Sequence, residues 1–173
     1  MKKYFITTLT PTLELQIQKH SPEFILYRDK ENDNYDQDAK KFLEVCQVYP
    51  KMKCFLHQDP NLAKELGAAG VHLTSTQFEK IKEAKELGLE VMISTHTHDE
   101  VFQAQNLGAD YVTYSPIFAS PNKGEPKGIK DLKSLIKKVD IKVFALGGIV
   151  TQKQIKEVDD AKAYGFASIR YFE

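Results

Sequence analysis

The chain lacks most features that mark specialised classes of protein. It has only two cysteines, Cys46 and Cys54, which we expect to be free thiols of a reducing cytoplasm and not a disulfide framework. Lysine plus arginine equals aspartate plus glutamate at 24 each, so the formal net charge is zero. This balance argues against a nucleic-acid partner, because proteins that bind nucleic acid usually carry a basic excess. It still allows a local cluster of positive charge for a small anion.

Long apolar runs are also missing. No run approaches the roughly 18 residues that a membrane span needs, and Met1-Lys2-Lys3-Tyr4 is not followed by the apolar segment of a signal peptide. The hydrophobic fraction is 42% and the charged fraction 28%, close to an average globular chain. We therefore expect one cytoplasmic domain over residues 1–173, with no membrane partner.

Short runs of β-branched and aromatic residues alternate with helical patterns. Most of these runs do not alternate between polar and apolar residues, which indicates strands that are covered on both faces. The eight strand candidates are residues 4–7, 24–27, 53–56, 70–73, 91–94, 111–114, 143–146 and 166–169. Because helical spacing lies between most of them, the pattern predicts a parallel sheet with right-handed crossovers.

The number of strand candidates predicts the architecture. Eight βα units favour an α/β fold of the (β/α)₈ TIM-barrel type, although such barrels usually exceed about 200 residues. A five-stranded doubly wound sheet is the alternative, and it would leave three candidates unused.

Both ends of this barrel are predicted to be trimmed. Leu13, Leu15 and Ile17 are spaced by two, which predicts no regular first helix, and Glu173 follows the last strand too closely for an eighth helix. We expect the shortening to leave an apolar flank uncovered, which would favour a homo-oligomer.

Residues that directly follow the strands are the candidates for a functional site, because ligands of parallel α/β folds bind beyond the carboxyl ends of the strands. Gly147 and Gly148 follow the seventh strand and precede a helix, where backbone amides could hold a phosphate. The alternative is a plain tight turn. Arg28 and Lys30 follow the second strand and would point toward one anion. The alternative is a pair of solvated charges.

The longest predicted loop, residues 115–128, is a further candidate, because loops of this length in compact domains are often functional. Lys123 lies in it, with Ser120 and Asn122 close by. A loop lysine flanked by hydroxyl and amide groups can close over a phosphate.

Three histidines, His57, His72 and His96, fall in or just after neighbouring strands. With His98 they resemble a zinc site, but no carboxylate or cysteine completes a spaced motif, so we predict no metal ligand among them. The simpler interpretation of His72 is a buried hydrogen-bonding residue. His57 is the candidate for acid–base chemistry, because it lies at the predicted catalytic rim and histidine titrates near neutrality.

Seven motifs occur in the order seen in one known family. They are Tyr27-Arg28-Asp29-Lys30, Gly70-Val71-His72-Leu73, Ser94-Thr95-His96, Gly108-Ala109-Asp110-Tyr111-Val112, Ser115-Pro116-Ile117-Phe118, Lys123 and Ala145-Leu146-Gly147-Gly148-Ile149. Together they resemble the thiamine phosphate synthase/TenI family, from strand two to strand eight. The resemblance implies a (β/α)₈ barrel. The synthase of that family joins a hydroxymethylpyrimidine pyrophosphate to a thiazole phosphate and releases pyrophosphate.

The resemblance also implies roles for the matching residues. Arg28 and Lys30 match the residues that bind the pyrophosphate. Gly147-Gly148 matches the glycines that hold the thiazole phosphate. Ser94 matches the family's strand-five serine, for which we expect a catalytic role, and Lys123 matches the loop lysine. The implied partner is a small phosphorylated thiazole or pyrimidine.

The sequence departs from this family at the magnesium site. Two aspartates hold magnesium in the synthase, and Gln58 and Gln77 stand in their places here. Because magnesium prefers carboxylate oxygens, we expect Mg²⁺ binding to be weakened, although Asp59 could partly compensate. Full synthase activity is therefore doubtful, since a pyrophosphate leaving group needs its charge neutralised.

Other departures leave the activity open. Leu26 replaces a glutamine that would contact the pyrimidine, and Pro116 stands where TenI-type tautomerases carry a histidine. Three alternatives follow: a divergent thiamine-biosynthesis barrel that binds a thiazole phosphate, a functional synthase, or a non-catalytic regulatory module that binds a phosphate ligand. If the protein catalyses proton transfer, we expect His57 to carry it.

Overall fold

The computed structural model describes residues 1–173 and shows a closed barrel. Eight parallel strands pair in chain order, and the last pairs with the first. The strands are β1 (Lys2–Thr7), β2 (Phe24–Tyr27), β3 (Lys53–His57), β4 (Gly70–Leu73), β5 (Glu90–Thr95), β6 (Tyr111–Tyr114), β7 (Lys142–Leu146) and β8 (Gly165–Ser168). The eight strand candidates and the shortened (β/α)₈ barrel are thus confirmed, and the doubly wound alternative is wrong.

Seven helices surround this barrel. They are α1 (Leu13–His20), α2 (Tyr35–Cys46), α3 (Pro60–Leu66), α4 (Lys80–Glu86), α5 (His98–Asn106), α6 (Gly128–Ile136) and α7 (Gln152–Asp160). None of them has the length and apolar character needed to cross a membrane. Cys46 and Cys54 are both buried, and both are free thiols, as expected.

The prediction that the first helix is irregular is wrong. Helix α1 has eight residues, with Leu13 and Ile17 buried and Leu15 66% exposed. Leu13 and Ile17 are four residues apart and therefore lie on one face of the helix, toward the core. The apparent spacing of two arose because the exposed Leu15 lies between them in the sequence.

Aromatic rings fill the inside of the barrel. Tyr4, Phe24, Phe55, Tyr111 and Phe144 are buried there in one cluster. Their rings meet tilted or edge-on, for example at a centroid distance of 5.1 Å between Phe24 and Phe144, which is a favourable aromatic geometry. The interior of the barrel is therefore a packed core.

The prediction of an uncovered apolar flank is also wrong. Phe172, four residues after β8, is fully buried. Its ring lies 4.7 Å from that of Phe5 and 5.9 Å from that of Phe166, so it covers β1 and β8 on their outer side. We expected a homo-oligomer because of such a flank. The covered flank no longer supports it, and the homo-oligomer stays a prediction.

Candidate functional site

A cleft of about 420 Å³ opens at the carboxyl ends of the strands, within the usual size of small-molecule sites. All but one of the predicted site residues line it. These are Arg28, Lys30, His57, Ser94, Ser120, Lys123, Gly147 and Gly148. The rule that ligand-binding residues follow the strands therefore brings most of the candidates to one place.

Asn122 is the exception. It is exposed and does not line the cleft. Its φ of 60° places it in the left-handed region, which asparagine tolerates better than most residues. Asn122 therefore shapes the turn from which the neighbouring Lys123 reaches the cleft.

The long loop between β6 and α6 is held against the end of β7. The N–H of Ile117 donates to the carbonyl of Leu146 at 2.9 Å, and the N–H of Phe118 donates to the carbonyl of Gly147 at 3.0 Å. These bonds place the predicted phosphate-binding loop and the loop of Lys123 side by side.

The backbone after β7 offers three consecutive N–H groups. The N–H groups of Gly147, Gly148 and Ile149 donate to no acceptor within the protein. Both glycines have positive φ, and a Cβ on Gly147 would lie 2.7 Å from the Cα of Pro116. Glycine is therefore required here for its conformation and for close packing. Successive free N–H groups of this kind bind anions.

Four permanent cations also line the cleft: Arg28, Lys30, Lys123 and Arg170. None of them takes part in an ion pair, and no aspartate or glutamate lines the cleft. The pKa of Lys30 is lowered, first by Arg28, then by burial and then by Lys123. The neutral chain thus concentrates positive charge at this cleft, where it attracts anions.

Arg170 was missed by the sequence reasoning. It stands two residues after β8, as Arg28 and Lys30 stand one and three residues after β2. The rule that selected the residues after β2 could therefore have selected Arg170 as well.

His57 sits on the rim at the end of β3 and is only 9% exposed. Its backbone N–H donates to the hydroxyl of Tyr35 at 3.0 Å. This hydroxyl in turn donates to the backbone carbonyl of Tyr27 at 2.9 Å. Burial, Arg28 and Lys30, in that order, lower the pKa of His57 to about 4. His57 is therefore neutral at pH 7, and the expectation that it titrates near neutrality is wrong because burial and two cations disfavour its charged form.

Ser94 is connected to a buried pair of residues beneath the cleft. The hydroxyl of Tyr4 lies 2.8 Å from Nδ1 of His72, and Nε2 of His72 lies 2.9 Å from Oγ of Ser94. Because Tyr4 is fully buried with His72 as its only polar partner, its O–H must donate to Nδ1. Nε2–H then donates to Ser94, which leaves the Ser94 hydroxyl proton for a ligand. His72 is thus the buried hydrogen-bonding residue that the sequence predicts.

His96 lies beside Ser94 on the exposed part of the cleft. Its Nδ1 lies 3.1 Å from the carbonyl oxygen of Ser115. Because a carbonyl can only accept, this contact places a proton on Nδ1. No group of three or more His, Cys, Asp or Glu side chains is arranged to hold a metal ion.

The fold and the cleft define a class of protein: a (β/α)₈ barrel with a cationic ligand site at the carboxyl ends of its strands. Residues 3–172 match the family model of thiamine monophosphate synthase. The chain belongs to this family, and thereby to thiamine biosynthesis, which confirms the resemblance of its motifs.

Individual relatives agree with this assignment. A protein of Aquifex aeolicus (strain VF5), provisionally named thiamine-phosphate synthase 2, is 33% identical, over 99% of this chain and 93% of that protein. The thiamine-phosphate synthase of Lactococcus lactis subsp. cremoris (strain MG1363) is 28% identical, over 83% of this chain and 71% of that one. In structure, a thiamine phosphate pyrophosphorylase from Pyrococcus furiosus has a TM-score of 0.83 at 24% identity, covering 97% of this chain and 85% of that one.

The residues at the positions that the motif resemblance assigns to magnesium do not fit the metal. Oε1 of Gln77 accepts from the N–H of Thr74 at 3.0 Å, and its Nε2 donates to the carbonyl of Gln58 at 3.0 Å. Asp59 caps helix α3 by accepting from the N–H of Leu62 at 3.0 Å. None of Gln58, Asp59 and Gln77 lines the cleft. The one available carboxylate thus serves a helix, and the loop after β4 is closed by amide hydrogen bonds.

Proposed function

We propose that the protein binds a phosphorylated thiazole in its cleft, with the phosphate on the loop after β7. The observation that carries the proposal is the run of three free N–H groups at Gly147, Gly148 and Ile149. Lys123 and Ser120 line the same cleft from the adjoining loop, and they supply a charge and a hydroxyl donor to phosphate oxygens. Family membership supports a thiazole as the rest of the ligand.

The floor of the cleft suits a small ring. Ile6, Leu26 and Leu146 line it with apolar surface. The Ser94 hydroxyl proton, left free by the hydrogen bond from His72, can donate to an acceptor such as a ring nitrogen. A small apolar ring with one acceptor atom and a phosphate matches this combination of groups.

We propose further that the protein is not a full thiamine phosphate synthase. Release of pyrophosphate requires stabilisation of the charge that develops on the leaving group. In the family this charge meets magnesium, and here the corresponding residues do not fit the metal. The chain keeps the anion-binding groups of the cleft without that site.

Isothermal titration calorimetry tests the binding proposal. We expect thiazole phosphate to bind in the micromolar range, and the unphosphorylated thiazole alcohol to bind at least about tenfold more weakly, since it lacks the charge-assisted hydrogen bonds. Lys123→Gln should weaken thiazole phosphate binding, while Lys138→Gln, at an exposed position without an ion pair, is the matched control. Equal affinity for the two ligands, or no binding of either, would contradict the proposal.

A turnover assay separates the proposed function from its alternatives. With hydroxymethylpyrimidine pyrophosphate, thiazole phosphate and Mg²⁺, we expect no thiamine phosphate at a rate comparable to a family synthase assayed beside it. Turnover at such a rate would favour the functional synthase and leave the binding proposal intact. If the protein instead catalyses proton transfer on the thiazole, His57→Asn should abolish it, and binding without any turnover would favour the regulatory module.

A further inference from the structure

We propose that the cleft neutralises its phosphorylated ligand with protein cations alone, using Arg28 and Arg170 as its anion-binding arginines and no divalent metal. This inference rests on the proposed function, because it concerns the charge balance of the same site. It assigns a binding role to Arg170.

The distribution of arginine supports the first part. Arg28 and Arg170 are the only arginines of the chain, and every other permanently charged basic side chain is lysine. Both arginines line the cleft, one after β2 and one after β8, with only β1 between these strands. Guanidinium groups bind phosphate through two parallel hydrogen bonds, which lysine cannot do. Both arginines of the chain are thus placed where a guanidinium group can bind an anion.

The backbone around Arg170 resembles that of the glycine loop. The N–H groups of Ile169 and Arg170 also donate to no acceptor within the protein. Ser168 joins the two segments, because its hydroxyl donates to the carbonyl of Ile149 at 2.8 Å and accepts from the N–H of Tyr171 at 3.2 Å. The backbone at Arg170 is therefore held beside the proposed phosphate position, with free N–H groups on both loops, and its exposed side chain lines the cleft.

No ion pair neutralises the cations of the cleft. Its four cations have no ion-pair partners, and no carboxylate lines it. Arg28, burial and Lys123, in that order, lower the pKa of Lys30, and Glu31 offsets them only in part, because the cations repel one another. A divalent cation would add to this repulsion, whereas the negative charge of a phosphorylated ligand relieves it.

The loops after β3 and β4 give a separate reason. A metal at this edge would need the oxygen of Gln77, which already accepts from the N–H and, at 3.3 Å, from the hydroxyl of Thr74. The only nearby carboxylate, that of Asp59, already uses Oδ1 to cap helix α3 and does not line the cleft. The oxygen of Gln77 is thus committed within the protein and the carboxylate of Asp59 lies outside the cleft, so the cations of the cleft are left to meet the ligand's charge.

Calorimetry with inorganic phosphate and inorganic pyrophosphate tests the inference, in EDTA and in excess Mg²⁺, each against a blank titration. We expect both probes to bind in EDTA, and added Mg²⁺ to leave the affinity unchanged or to weaken it by complexing pyrophosphate. Binding that is about tenfold or more tighter with Mg²⁺ would overturn the inference while leaving the proposed function in place. No binding under either condition would overturn both.

An arginine variant tests the role of Arg170. We expect Arg170→Gln to weaken pyrophosphate binding in EDTA by about tenfold or more, because a charge-assisted contact is lost. Arg170→Lys should be intermediate, and the surface variant Lys138→Gln should bind as the wild type does. Unchanged thermal unfolding would show that the variants fold. Binding by Arg170→Gln equal to that of the wild type, or rescued by Mg²⁺, would overturn the assignment.

Discussion

The pKa of His57 allows a quantitative prediction about the response of the protein to pH. The pKa of His57 is about 4 in the folded protein, whereas a histidine in an unfolded chain has a pKa of about 6.5. Between these values the unfolded chain takes up a proton that the folded protein does not. The neutral histidine therefore costs no stability above pH 6.5, and the free energy of unfolding falls as the pH drops from 6.5 toward 4.

The size of this loss follows from the two pKa values. At pH 5, His57 should reduce the free energy of unfolding by about 2 kcal/mol relative to pH 7.5. Urea unfolding of wild type and His57→Asn at both pH values measures it, and the variant should lose about 2 kcal/mol less than the wild type. The pKa of His72 is lowered first by burial, then by His57 and then by Arg28, and the two histidine rings lie 6.2 Å apart. His57→Asn therefore also removes a repulsion on His72, which enlarges the difference between the two proteins in the same direction.

One further measurement sharpens this test. Saturating phosphate should raise the pKa of His57, because it offsets the charges of Arg28 and Lys30. The reasoning would be refuted if His57→Asn lost as much stability between pH 7.5 and pH 5 as the wild type does.

Other predictions concern the serine, the glycine loop and the cap of α3. Ser94→Ala should leave the Nε2–H of buried His72 without an acceptor and lower the free energy of unfolding by about 1–3 kcal/mol, while also weakening thiazole phosphate binding in calorimetry. Gly148→Ala should weaken the same binding and destabilise the fold by about 1–3 kcal/mol, because its Cβ would meet the carbonyl of Ala119 at a positive φ. Asp59→Ala should cost about 1 kcal/mol by removing an N-cap, yet leave phosphate binding unchanged; a loss of binding there would contradict the assignment of Asp59 to the helix.

The fold was predictable because its signals are local. Each strand is a short apolar run between turns, and a closed barrel is the arrangement that uses all eight. Helix α1 was missed because only two of its side chains face the core, with Leu15 exposed between them. The cover over β1 and β8 could not be predicted, because it depends on the fully buried Phe172, which nothing in its local sequence indicates.

The location of the site was predictable from the sequence, whereas the hydrogen bonds and pKa values of its residues were not. Arg28 and the paired glycines directly follow strands, Lys123 lies in the long loop after β6, and the topology brings these positions together. The pairing of Ser94 with His72 and Tyr4 was not predictable, because Tyr4 and His72 are 68 residues apart. The low pKa of His57 depends on burial and on Arg28 and Lys30, and is equally invisible in the local sequence.

The central claim is that backbone N–H groups after β7 bind the phosphate of the ligand. Titration of ¹⁵N-labelled protein with thiazole phosphate in EDTA, followed by NMR, tests it most directly. We expect the amide resonances of Gly147, Gly148 and Ile149 to move together and to saturate, with those of exposed residues such as Lys138 unchanged. Saturable binding that leaves these three resonances in place would contradict the account.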